Sequence, residues 1–184
     1  MTDDTTRPTE LWRWDARATA QAVARREISS REATQAHLAR LHAVNPALNA
    51  VVLTLADEAL AAAGAADRAV AAGGPLGLLH GVPITTKITS DQKGCPSDNG
   101  VIFLKDNIAP DDSAVIANLR RAGAVILGRT NSPAFALRAD TDNMLHGRTF
   151  NPWNRAVTPG GSSGGAGAAL AAGIGAVAHG SDIG

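Results

Sequence analysis

Apolar residues in the first seventy positions recur at helical spacing. Leu11, Trp14, Ala18 and Ala22 step by three and four, which predicts a first amphipathic helix. Ser29-Ser30-Arg31-Glu32 opens a second helix, with Ser29 placed to accept from the first turn and Glu32 to reach back as a capping box. Asn45-Pro46 is expected to stop it, because the residue before a proline is pushed out of helical geometry. A third helix is predicted from about Leu55 to Ala72. It carries Leu55, Ala59, Ala62, Ala66 and Val70 on one side, and Gly73-Gly74-Pro75 ends it. Such stripes ordinarily pack a scaffold.

From Leu76 the pattern changes. Leu78 to Lys87 is a β-branched, apolar run that reads as a strand ending at lysine. A polar loop follows through Gly94, Pro96 and Gly100. Asp112-Ser113 is expected to cap a helix reaching about Ala122, and Gly123 closes it. Ala124 to Gly128 is wholly apolar, as expected of a strand covered on both faces. Thr158 to Gly165 is a loop with almost no side-chain bulk. A short helix over Ala166–Ala172, a Gly173 cap and a strand over 175–180 come next, and Ser181-Asp182-Ile183-Gly184 turns out of that strand. Helix followed by buried strand is half of a βαβ unit, so the class is α/β. The expected division is a helical segment over residues 1–75 and an α/β core over 76–184.

Composition narrows the class further. Of 184 residues, 45% are apolar and 18% charged, enough to bury a core. Seventeen basic and seventeen acidic residues cancel, which leaves no footprint for nucleic acid and no polybasic membrane signal. The single cysteine, Cys95, excludes an intrachain disulfide and a multi-thiolate zinc site. The chain has no tyrosine, so no phenol serves as a proton donor. Residues 1–8 are polar and acidic, unlike a secretory leader, and no apolar run reaches the ~20 residues of a membrane span. The expected compartment is the cytoplasm.

Two places hold candidate chemistry. Lys87, at the end of a predicted interior strand, either snorkels to solvent or is kept neutral by burial, and a neutral lysine is a general base. The loop Gly160-Gly161-Ser162-Ser163-Gly164-Gly165 leaves three readings open: an anion cradle at a helix start, a hydroxyl held on glycine backbone, or a flexible loop. It lacks the Gly-Lys-Ser/Thr ending of a P-loop. The five histidines show no metal-ligand spacing, and His37 and His42 read as surface or packing residues. Asp111-Asp112 reads as a helix cap and Cys95 as a bystander.

Four blocks occur in order: Gly81-Val82-Pro83-Ile84-Thr85-Thr86-Lys87; Gly123 to Asn131; Pro159 to Gly165; and Gly180-Ser181-Asp182-Ile183-Gly184. Together, with Lys87 and Ser162 separated by 75 positions, they resemble the amidase signature family over roughly Leu76 to Gly184. The resemblance implies an α/β/α sandwich around a mixed sheet and a Ser–Ser–Lys acyl-enzyme mechanism that hydrolyses a carboxamide without metal or organic cofactor. It makes Lys87 the neutral base. Ser162 becomes the bridging serine, preceded by a cis peptide bond, with Ser163 as its support. Ile183 and Gly184 become the start of the oxyanion-hole turn. Ile88-Thr89-Ser90 stands where the family commonly has an acidic-amide pair, and Ala166 where a small hydroxyl residue is frequent.

In the family's motif the nucleophilic serine stands two positions past Gly184. The 184-residue chain is therefore expected to lack it and to be inactive by itself. The alternative expectation is a noncatalytic fragment that binds a partner chain. The expected partners are a small-molecule amide, no nucleic acid and no membrane, with a homodimer as the assembly to test.

Overall fold

The computed structural model describes residues 8–182. The N-terminal apolar stripe is broken where one helix was expected. Leu11–Arg13 form a single 3-10 turn, Trp14 is extended, and Asp15 restarts the chain by accepting the Ala18 N–H at 2.7 Å. A side chain that caps a new helix ends the old one. Helix α1 then runs Ala16–Ala24 and α2 runs Ser30–Leu48, the latter opened by the expected Ser29–Glu32 capping box.

Proline does not stop α2. Pro46 lies in the last turn, where its missing N–H forfeits one bond near an end that already leaves carbonyls free. The exit comes three residues later, at Asn49 in the left-handed region with its N–H on Asn45 O. The Asn45 side chain shapes the turn, accepting from Ala50 and Val51 N–H at 2.9 Å each and donating to Val51 O.

That turn launches strand β1, Val51–Thr54, which the sequence pattern does not announce. Four residues between two helices are too few to display a period of two. Helix α3 follows over Ala56–Ala72, with Ala59, Ala63, Ala66 and Val70 buried and Gly73 as its left-handed cap.

The next strand is shorter than expected. β2 spans Pro83–Lys87 only, since residues 78–81 form turns, Gly81 has φ of +72°, and Leu78 is 93% exposed. Helix α4, Ala114–Arg121, begins where anticipated, but neither Asp112 nor Ser113 caps it with a side chain. Asp112 instead accepts the Lys93 N–H at 2.8 Å and pairs with Arg120, while Asp111 pairs with Lys93. Strand β3, Val125–Thr130, is buried throughout and outruns the expected strand by two residues. Helix α5 occupies Gly164–Ala171, starting inside the glycine loop, and β4 is reduced to Val177–Ala178.

Among the described residues these strands form one mixed sheet, ordered β1-β3-β2-β4, with β1 antiparallel to β3 and the other pairs parallel. Helices cover both faces. Leu38, Ala59 and Ala63 pack on Val125 and Leu127, while Ile116 packs with Val82, Ile84 and Ile126 from the other side. A third cluster joins Leu41 and Leu48 of α2 to Ala168 and Ala169 of α5. No described helix is long and apolar enough to cross a membrane.

The seat of α5 leaves no room for a side chain. A Cβ at Gly165 would lie 2.5 Å from both Asn131 N and Asn131 O, backbone that continues β3. At Gly167 a Cβ would meet nothing within 4 Å. Gly165→Ala is therefore expected to destabilise by about 3 kcal/mol or more. Gly167→Ala should stabilise the helix by about 0.5–1 kcal/mol. Urea midpoints of the two variants check the pair, and equal midpoints would contradict the packing.

Candidate active site

Position in the sheet explains why Lys87 is buried. β2 lies between β3 and β4; its last residue pairs with Thr130 of β3, its N–H faces His179 just beyond β4, and Lys87 has no solvent exposure. α5 packs on β2 and β4 and brings the glycine-serine loop to the same spot. Lys87 Nζ lies 2.7 Å from Ser162 Oγ, 3.1 Å from Ser163 Oγ and 2.8 Å from Ser181 Oγ. Burial disfavours the ammonium form and brings the lysine pKa down to about 8. His179 sits beside it, with Nδ1 3.5 Å from the Lys87 N–H. Burial first, and the Lys87 charge second, push that imidazole below its ordinary value.

The three hydroxyls are not equivalent. Ser163 Oγ donates to Ser181 O at 3.2 Å and accepts the Ser181 N–H at 3.1 Å, so its proton is committed to the backbone. Ser162 Oγ, 1% exposed, has Lys87 as its hydrogen-bond partner among the described residues. A neutral amine donates twice and accepts once. As an ammonium, Nζ donates to all three hydroxyls. Ser181 Oγ also has Lys87 as its partner among the described residues, but Ser181 is exposed, so buried Ser162 is the hydroxyl placed, away from water, to give its proton to neutral Nζ.

The loop that carries the serines is pinned from both ends. Thr141 Oγ1 donates to Gly160 O at 2.9 Å and accepts from Gly164 N–H at 3.1 Å. Gly160 has φ of +86°, the left-handed region where a side chain is strained. The Gly161–Ser162 peptide bond is cis, as the resemblance implies. A Cβ at Gly161 would stand 2.6 Å from Arg138 O, so this backbone runs against the 138–140 segment with nothing between them.

A model of the family described as Amidase matches residues 32–184. The chain belongs to the amidase signature family. It is 58% identical to an indoleacetamide hydrolase of Bradyrhizobium diazoefficiens, over 95% of this chain and 33% of that protein. It is 45% identical to a glutamyl-tRNA(Gln) amidotransferase subunit of Acidothermus cellulolyticus, over 95% of this chain and 35% of that one. Among solved structures, the peptide amidase from Stenotrophomonas maltophilia superposes with a TM-score of 0.84 at 33% identity, over 93% of this chain and 36% of that chain. The chain thus spans about a third of the length of the relatives it matches.

Within this amidase signature segment the structure brings Lys87, Ser162 and Ser163 together. Ile183 and Gly184, expected at the oxyanion hole, lie outside the described residues. Ser181 joins the lysine although the sequence pattern assigns it no role. The one signal that could have found it is its place in the block that also carries Asp182 and Ile183. Thr141 gives no signal at all, since a lone threonine in a loop has no pattern. Elsewhere, His37 packs in the interior with Nδ1 3.0 Å from Gly173 O and from Gly175 N, and burial lowers its pKa. His42 is exposed. Cys95 is buried, and burial pushes its thiol up, away from nucleophilic use. Among the described residues no group of three or more His, Cys, Asp or Glu could hold a metal ion.

Proposed function

We propose that the chain carries the general base and the bridging hydroxyl of an enzyme that hydrolyses a carboxamide to a carboxylic acid and ammonia or an amine. One observation carries the reading: a buried lysine, its pKa lowered by burial, 2.7 Å from a serine hydroxyl with no other partner among the described residues. Neutral Lys87 takes the Ser162 proton while Ser162 takes the proton of the attacking serine hydroxyl. The serine oxygen bonds to the amide carbon and the C–N bond breaks. As that bond breaks, the same relay delivers the proton to the leaving nitrogen, which departs as ammonia or an amine. Water attacks the acyl-enzyme by the reverse transfer and releases the acid. Ser163 and Ser181 hold Nζ in line, and the backbone N–H groups from Ile183 and Gly184 onward stabilise the oxyanion.

The substrate class we favour is a primary arylacetamide. The support is the identity of 58% to a protein named indoleacetamide hydrolase, against 45% to the amidotransferase relative. The test is release of ammonia and indole-3-acetic acid from indole-3-acetamide by a chain that continues through the family's nucleophilic serine. Equimolar release is expected. Release of neither product from that amide or from phenylacetamide would overturn the substrate class.

A further inference from the structure

Arg129 is among the largest side chains wholly shut off from solvent, and the proposed proton relay makes no use of it. A guanidinium is costly to bury unless acceptors meet its N–H groups. Its acceptors here are backbone carbonyls. Nη2 donates to Ile88 O at 2.9 Å, to Lys87 O at 3.3 Å and to Ser90 O, and Nη1 donates to Pro96 O. These carbonyls belong to the end of β2 and to the loop that leaves it.

The strand register sets the geometry. An irregularity between β2 and β3 pairs Thr85 with Gly128 and Thr86 with Arg129. Laterally paired residues of parallel strands share a face, so Arg129 leaves the sheet on the side of Thr86 and Lys87 leaves on the other. On the Thr86 side, Thr86 Oγ1 also donates to Gln92 Oε1 at 2.9 Å, a second tie to the same loop. The end of β2 is thus gripped from behind at the carbonyl of Lys87 itself, while its Nζ meets the serines in front. A cavity of about 120 Å³ beside Ile88, Pro96 and Asp98 is also lined by Arg129, and Arg129 Nε has no partner among the described residues. The fork is not needed to fill space. An apolar side chain would occupy it without burying a charge.

We infer that Arg129 is a positioning residue. By drawing the carbonyls of Lys87, Ile88, Ser90 and Pro96 onto one planar fork, it holds Lys87 Nζ against Ser162, Ser163 and Ser181. This rests on the reading of Lys87 as the base. A lysine in its place keeps the charge but offers a single point of donation, too compact to span the four carbonyls.

The experiment follows the Lys87 amine directly and needs no substrate. The 184 residues hold three lysines, Lys87, Lys93 and Lys105, so 13Cε-lysine labelling gives three resonances to titrate. Lys87→Met identifies the one of interest. In the wild-type chain the Lys87 signal is expected to titrate near 8. In Arg129→Met it should move up by about one unit or more toward the ordinary lysine value. Arg129→Lys, whose added fourth lysine resonance is told apart from that of Lys87 by the Lys87→Met substitution, should move with it. Far-UV circular dichroism tracks folding, and Arg129→Lys carries the test should Arg129→Met not fold. A wild-type Lys87 that titrates as an ordinary lysine would overturn the base reading. A midpoint near 8 in wild type and in both variants would leave the base standing and overturn the positioning role. A midpoint restored by Arg129→Lys would assign the effect to charge and overturn it too.

Discussion

Lys87→Ala is expected to lower kcat/KM for amide hydrolysis about 10⁴-fold, because the members of a catalytic relay act as a unit. On the proposed relay the loss should fall on kcat, since Lys87 is buried beside Ser162 Oγ and would act on that hydroxyl's proton, not on the substrate. The sign of the pH dependence follows from the shifted pKa. The base works when neutral, so the wild-type rate should rise with pH and level off above about 8. Near neutral pH only about a tenth of the chains hold a neutral Lys87. The alanine variant should lose that limb of the profile together with the rate. A pH–rate profile on a chain that includes the nucleophile checks both, and turnover like wild type in Lys87→Ala would sink the base assignment.

Ser162→Ala should cost about 10³-fold, less than the lysine, because a water can enter the vacated space and relay the proton imperfectly. Ser163→Ala is the matched comparison and should cost about tenfold, since the Ser163 proton is tied to Ser181 O and its oxygen only receives from Nζ. Acylation by an activated ester, read as the burst of its leaving group, separates the two. A Ser162→Ala burst as fast as wild type would remove Ser162 from the relay. Equal losses for both serines would mean that the hydroxyl geometry does not select one bridge.

Much of this site was legible along the chain because its parts lie in short blocks with distinct chemistry. A lysine ending a β-branched run, and two serines among four glycines, are unusual locally and need no knowledge of neighbours. Helices α2 and α3 were legible for a related reason, since a capping box and an alanine stripe are written within one element. The errors fell where a local rule competed with packing. Pro46 stays helical because Asn45 and Asn49 build the exit beyond it. Leu78 belongs to a turn although its neighbours are apolar, because Gly81 folds the chain before the sheet begins.

By itself the sequence determined the α/β class, the family resemblance and the residue types of the candidate site. Tertiary structure alone decided which hydroxyls meet the lysine and what stands behind it. Ser162 and Ser181 reach Lys87 across 75 and 94 positions. Arg129 reaches the Lys87 carbonyl across 42, through a register that an irregularity in strand pairing sets. Strand β1 enters the sheet because its partner β3 lies there, not because its four residues show a period. Periodicity and capping record what a residue does with neighbours three or four away. Meetings between distant segments are set by which faces are buried together, and no local pattern carries that information.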